Sequence, residues 1–206
     1  MDTRTTDIMR AELSRAVAVL KAVAEDAALQ ATLAQAAHVT ADALKSGRKL
    51  MIAGNGGSAA DAQHLAAEFV NYLVQDRPAM RAIALTTDTS ILTAVGNDSS
   101  FEKIFSRQIE AQGQPGDVFL GISTSGNSAN VLRALEQSRR MGIITIGLTG
   151  KSGGKMMPLC DYCVRVPSDV TMHIQEGHLA VEHVFSMIVE RAYFGAEIFA
   201  SAAAPD

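Results

Sequence analysis

Three features of the sequence predict an α/β fold, a three-layer α/β/α sandwich around a five-stranded parallel sheet with an N-terminal helical arm. Short apolar runs alternate with helix-period segments, and glycine- or serine-rich turns follow the runs. The third feature is bulk composition: 206 residues, 48% hydrophobic and 19% charged, with no low-complexity tract, supply apolar surface for one core. A single domain is therefore expected over 1–206, with a helical arm at 1–47 and the α/β core and last helix at 48–200. Strands joined through helices pair in parallel with right-handed crossovers, so the sheet is covered on both faces. Ligands of such sheets bind beyond the carboxyl ends of the strands, which is where functional residues are expected.

Along the chain, residues 4–47 are Ala-rich and almost free of Gly and Pro, with apolar residues at helical spacing; they read as two helices broken near Glu25 to Leu29. "KLMIAG" (49–54) is a strand ended by glycines, followed by a helix from Ser58 to about Val74. "RAIAL" (81–85) is the second strand, with helices near 89–96 and 101–112 after it. "DVFLGIS" (117–123) precedes a helix from about Ser128 to Met141. "IITIGL" (143–148) leads to a Gly-rich loop and a short helix, and "YCVRV" (162–166) to a last helix from about Ile174 to Ala200.

A formal charge of −4 with no block of Lys and Arg argues against nucleic acid as the main partner, because phosphate backbones are held by clustered cations. A small ligand is expected instead. The opening "MDTRTTDIMR" lacks the apolar region of a signal peptide, and no run approaches the roughly 18 apolar residues of a membrane span, so the expected location is cytoplasmic. Cys160 and Cys163 form a C-x-x-C, the spacing of a redox pair or half a zinc site. With no second C-x-x-C and no helix start just after the first Cys, they read as small buried residues near a strand.

Two loops have the chemistry of anion sites. Gly54, Asn55, Gly56, Gly57 and Ser58 lie between the first strand and its helix, where glycine permits close backbone approach and the helix start offers free N–H groups. Gly54, Gly56 and Ala59 also satisfy the dinucleotide fingerprint, but its acidic partner is misplaced: Asp76 precedes the second strand and Asp88 lies too far along. A Walker loop fails because "GKS" (150–152) has Thr145 where the first glycine of that motif should stand. The second loop, "STSGNS", places Ser123, Thr124, Ser125 and Ser128 between a strand and a helix, with Gly126 freeing the turn. One serine would suffice as a helix cap; four hydroxyls are enough to hold a phosphoryl group without Lys or Arg.

Ionisable residues gather on two helices. His64 and Glu68 are four apart and so share one helix face, about 40° apart, with Asp61 one turn earlier; Gln175 and His183, eight apart on the last helix, are about 80° apart. Either pair alone would be an ordinary surface contact. His38 reads as structural, and His173 and His178 are ambiguous.

At these residues the chain resembles the sugar isomerase (SIS) domain family and, within it, the bacterial phosphoheptose isomerases, which act on sedoheptulose 7-phosphate. The resemblance runs from about residue 5 to 197 and is carried by "GNGGSAADAQHLAAEF", "AVGND", "GDVFLGISTSGNSANV", "LTGKSGGKM" and "RVPS" with "IQEGHLAVEH". It implies substrate binding by Asn55, Gly56, Gly57, Glu68, Asn97, Asp98, Ser123, Thr124, Ser125, Ser128 and Gln175, and one Zn²⁺ per subunit on His64, Glu68, Gln175 and His183. It further implies a homotetramer with sites at subunit interfaces. Tyr72 departs from the family pattern, where Arg is common. The expected chemistry is aldose–ketose isomerisation through an enediol or enediolate, with Glu68 as base and His183 as acid; a carboxylate that binds zinc is a poorer base, so Asp61 is the alternative. The competing readings are a non-catalytic SIS module that senses a sugar phosphate or binds a protein, and an isomerase of another sugar phosphate.

Overall fold

The computed structural model describes residues 3–195. Its elements run α1 (Thr3–Glu25), α2 (Ala27–Lys45), β1 (Leu50–Ala53), α3 (Gly57–Val70), β2 (Ala82–Ala84), α4 (Thr89–Asp98), a 3₁₀ turn (Phe101–Lys103), α5 (Ser106–Gln112), β3 (Val118–Ser123), α6 (Ala129–Arg140), β4 (Ile144–Thr149), a second 3₁₀ turn (Gly154–Leu159), β5 (Tyr162–Arg165) and α7 (Thr171–Phe194). The expected extension of the last helix to Ala200 falls outside the described residues. Every strand pair is parallel, in the order β2-β1-β3-β4-β5, so the sheet has the five strands and the three-layer arrangement that the sequence predicts.

Alternate side chains of each strand feed opposite layers. Leu50, Ile52, Val118, Leu120, Ile146, Leu148 and Val164 pack under α2, α3 and α7, together with Leu33, Leu65, Phe69, Val181 and Phe185. On the other face Met51, Ala53 and Phe119 meet Ile109 of α5 and Val131 and Leu135 of α6. At roughly 1.5–3 kcal/mol for each fully buried large apolar side chain, these two layers dominate what holds the sheet to its helices. One boundary differs from the expected arm: α2 is part of the core, with Leu29, Leu33, Ala36, Ala37, Ala41 and Leu44 buried against α7 and the sheet. Among the described residues α1 lies at the margin of the core, and it leaves Ile8, Met9, Leu13 and Val17 exposed.

The break between α1 and α2 is a helix cap. Asp26 accepts hydrogen bonds from Ala28 N and Leu29 N at 3.0 and 2.9 Å, satisfying donors that the first turn leaves free. Asp88, weighed above as a dinucleotide acid, has the same task for α4, accepting from Ile91 N at 2.9 Å. The helix expected at 101–112 is divided into a 3₁₀ turn and α5. No helix among the described residues is long and apolar enough to cross a membrane.

Candidate active site

In the order β2-β1-β3-β4-β5, crossovers leave β1 to one side and β3 to the other, so the loops after these two strands face each other across the switch point. They are the glycine loop and the serine loop. The side chains of Asn55 and Asn130 link them by a reciprocal amide pair, with N···O distances of 2.9 and 2.8 Å, and Asn130 Oδ1 also accepts from Val131 N. Asn130 is buried and was not among the sequence candidates; the signal available for it was an amide within the first turn of the helix that follows the serines.

The serine loop is shaped by its own bonds. Ser123 Oγ and Ser128 Oγ are 2.9 Å apart, Asn127 N donates to Ser125 Oγ at 3.2 Å, and Asn127 Nδ2 donates to the Ser125 carbonyl at 2.8 Å. The segment 153–155 backs it, with Lys155 N donating to Asn127 Oδ1. Gly126 has φ +66°, and a β-carbon there would fall 2.3 Å from the Gly153 carbonyl oxygen, so both the turn and the contact require glycine. Thr124, Ser125 and Asn127 line a cavity of about 270 Å³, shared with Lys151, Ser152, Ser168, Asp169 and Thr171. Hydroxyls therefore face a small polar space whose wall carries one lysine, Lys151, and one carboxylate, Asp169.

The second half of the site lies between α3 and α7. On α3 the residues Ala62, Leu65, Ala66 and Phe69 are buried in the core, which turns Asp61, His64 and Glu68 toward α7. His64 Nε2 and His183 Nε2 are 2.9 Å apart although 119 positions separate them in the chain, and their rings stand edge to face at 80°. Glu68 Oε1 lies 3.5 Å from His64 Nε2, while Glu68 Oε2 is buried with no protein partner. Gln175 reaches the start of α3: a β-carbon on Gly57 would lie 2.2 Å from its Nε2, so glycine there admits the amide.

These residues fit a metal ion. Ligand atoms of His64, Glu68 and His183 all lie within 4.8 Å of one another, and two imidazole nitrogens with a carboxylate form a donor set suited to a borderline cation such as zinc. A Glu68 oxygen with no protein partner is the orphan that such an ion would satisfy.

Behind this centre is a polar layer. Both oxygens of Glu182, Ser186 Oγ, both nitrogens of His178 and Asp61 Oδ2 are buried without hydrogen-bond partners. Burial, reinforced by the Asp61 charge, pushes Glu182 up to about 9. Burial also raises Asp61, with His64 opposing. His178 is driven down to about 4 by burial, against a raising contribution from the Thr149 backbone.

Other candidates are placed elsewhere. Asn97 and Asp98 lie exposed at the end of α4, where Asn97 Nδ2 donates to Asp98 Oδ1 at 2.7 Å. Asp98 lines an open cleft of about 710 Å³ with Glu102, Arg107, Arg133 and Arg140, a set that shares no residue with the serine-loop cavity. His38 is exposed on α2. His173 is buried between Glu176, at 2.9 Å, and Glu12 of α1, at 3.4 Å, and so fastens the arm to α7. Cys160 and Cys163 are free thiols, the first just before β5 and the second within it; both are half-buried rather than buried as expected, and both lie outside the metal-type cluster. Tyr72 is exposed just past α3.

A parallel five-stranded α/β/α domain with a hydroxyl-lined cavity beyond its strand ends and a His–Glu centre between α3 and α7 has the layout of a small-molecule enzyme of the α/β class. The SIS domain model matches residues 13–150. A phosphoheptose isomerase of Aneurinibacillus thermoaerophilus is 50% identical over 188 residues, covering 91% of this chain and 95% of the relative. One from Akkermansia muciniphila is 54% identical over 169 residues, covering 82% and 89%. Among solved structures, the phosphoheptose isomerases of Neisseria gonorrhoeae and Francisella tularensis superpose with TM-scores of 0.85 and 0.87 at 38% and 36% identity, covering 90% and 91% of this chain and 98% of each of theirs. The chain belongs to the SIS domain family and, within it, to the phosphoheptose isomerases.

Proposed function

We propose that the chain is an aldose–ketose isomerase that converts D-sedoheptulose 7-phosphate to D-glycero-D-manno-heptose 7-phosphate, in bacterial heptose biosynthesis, with Glu68 and His183 as its acid–base pair. The observation that carries this reading is the convergence of Glu68, His64 and His183 from α3 and α7, near the joined glycine and serine loops. Relatives at about half identity over most of their length bear the same activity in their names.

The serine loop, through Thr124, Ser125 and Ser128, would take the phosphoryl oxygens by charge-assisted bonds, fixing the far end of the sugar. Asn55, Gly56, Gly57 and Gln175 then border the path toward its reactive end. Isomerisation removes a proton from C1 of the ketose and returns one to C2, while a proton passes between the two oxygens. Glu68 takes the carbon-bound proton, and His183, on the opposite helix, carries the oxygen-bound one. Asp61 is the alternative base: it lies one turn from His64, and burial raises its pKa, which makes its carboxylate a stronger proton acceptor. Zn²⁺ held by His64, Glu68, Gln175 and His183 would supply Lewis-acid polarisation of the carbonyl and hydroxyl oxygens.

Asn97 and Asp98 stand apart from this cavity within one chain, and α1 exposes Ile8, Met9, Leu13, Val17 and Leu20. Both features support a homotetramer whose interfaces complete the sites. The test is to incubate the protein with sedoheptulose 7-phosphate in heavy water and follow products by NMR. Aldose appearing with deuterium at C2 is expected. Absence of aldose, with the ketose bound and unchanged, would leave a sensing module instead.

A further inference from the structure

Arg77 lies in the irregular segment between α3 and β2, yet its side chain is 1% exposed, as is that of Glu190 on α7. Its Nε and Nη2 donate to Glu190 Oε1 at 2.8 and 2.6 Å. The same Nη2 donates to the carbonyl of Glu68 at 2.6 Å, and Nη1 donates to the carbonyls of Phe69 at 2.7 Å and Pro78 at 3.1 Å. The guanidinium also sits 5.6 Å from the centre of the Phe194 ring. Because α3 ends at Val70, the carbonyls of Glu68 and Phe69 are among the last four that a helix cannot pair by itself. Glu190 is about two turns beyond His183 on the same face of α7. One planar cation therefore joins the backbone of Glu68 to the helix that presents His183.

We propose that Arg77 is a positioning residue that sets Glu68 in register with His64 and His183. A buried ion pair contributes little net stability on average, so stability alone is a poor account of this arrangement. Its geometry, by contrast, is specific: a fork with several fixed donors reaches a carboxylate and three carbonyls at once, which an ammonium cannot do. Misplacing a reacting group by about 1 Å costs on the order of 10²-fold in rate. The serine loop makes no bond to Arg77, so substrate grip and turnover should separate.

The inference rests on Glu68 and His183 being the acid–base pair, and the test keeps the two apart. Arg77→Met, Arg77→Lys and Glu190→Gln are compared with the wild type for kcat and KM, for cobalt(II) affinity by visible absorption, and for folding by circular dichroism and gel filtration. Arg77→Met is expected to lower kcat by roughly 30-fold or more and to weaken cobalt binding about tenfold, with KM changed by less than about twofold. Arg77→Lys should give no rescue. Glu190→Gln, which keeps the three carbonyl bonds of Arg77, should show the same pattern at about fivefold, and it carries the test if Arg77→Met does not fold. Folded variants with wild-type kcat and cobalt affinity would overturn this inference alone. A wild type that neither isomerises nor binds cobalt would overturn the functional reading and this inference with it.

Discussion

The two halves of the site are built on opposite plans. The serine loop is contiguous in sequence and uncharged, and it satisfies its own groups: Ser123 with Ser128, and Asn127 with Ser125 and Lys155 N. The centre between α3 and α7 joins residues from distant parts of the chain and leaves Glu68 Oε2, Asp61 Oδ2 and the whole Glu182 carboxyl without protein partners. A loop whose bonds are already made is organised for binding before ligand arrives, whereas buried groups left unsatisfied cost stability and keep their capacity to take a ligand or a proton. Binding and chemistry are thus assigned to separate structures, and substitutions should divide along that line.

His183→Gln gives the largest expected effect: loss of the proposed acid should lower kcat by about 10²–10⁴-fold, with phosphate-end binding retained in titration calorimetry. Wild-type turnover would remove His183 from the chemistry. Gly126→Ala strikes the other half, since its β-carbon would meet the Gly153 carbonyl at 2.3 Å on a backbone with φ +66°. KM should rise by at least about tenfold, more than kcat falls. Ser125→Ala should raise KM by roughly tenfold, corresponding to one charge-assisted hydrogen bond, with kcat nearly constant; a fall in kcat at constant KM would reverse the assignment of the two halves.

The smallest effect concerns pH and the polar layer. His178 is buried and has its pKa lowered from 6.5 to about 4. As pH falls through that window the unfolded chain takes up a proton that the native state refuses, so this contribution to stability is complete above pH 6.5 and is lost toward pH 4. The loss amounts to at most about 3 kcal/mol. Thermal melts at pH 7 and pH 4.5 should show a smaller drop for His178→Gln than for the wild type, and equal drops would refute the shift.

The sheet and the serine loop are legible in the sequence because their signals are local: an apolar run, a glycine and a cluster of hydroxyls. Helix limits are less so. The apolar pattern continues to Val74, but Tyr72 and Val74 are exposed and α3 stops at Val70. Residues 27–45 look like a continuation of the arm because Ala-rich helices carry a weak amphipathic signal, and only packing reveals that Leu33 and Ala36 face the sheet. Glu182 and Ser186 occupy the buried face of α7, where a polar residue breaks the apolar period and gives no warning. His64, Glu68, Gln175 and His183 enter through the family resemblance; spacing alone places each pair on a helix but cannot bring the helices together. Arg77 has no sequence signal at all, since its contacts are to backbone carbonyls and to a carboxylate, that of Glu190, 113 positions away.

Glu68→Gln tests the central division most directly. The variant should bind sedoheptulose 7-phosphate with a Kd within about twofold of the wild type, while deuterium uptake from heavy water at C1 and C2 falls by about 10²-fold or more. Deuterium exchange at the wild-type rate, or binding lost along with turnover, would contradict it.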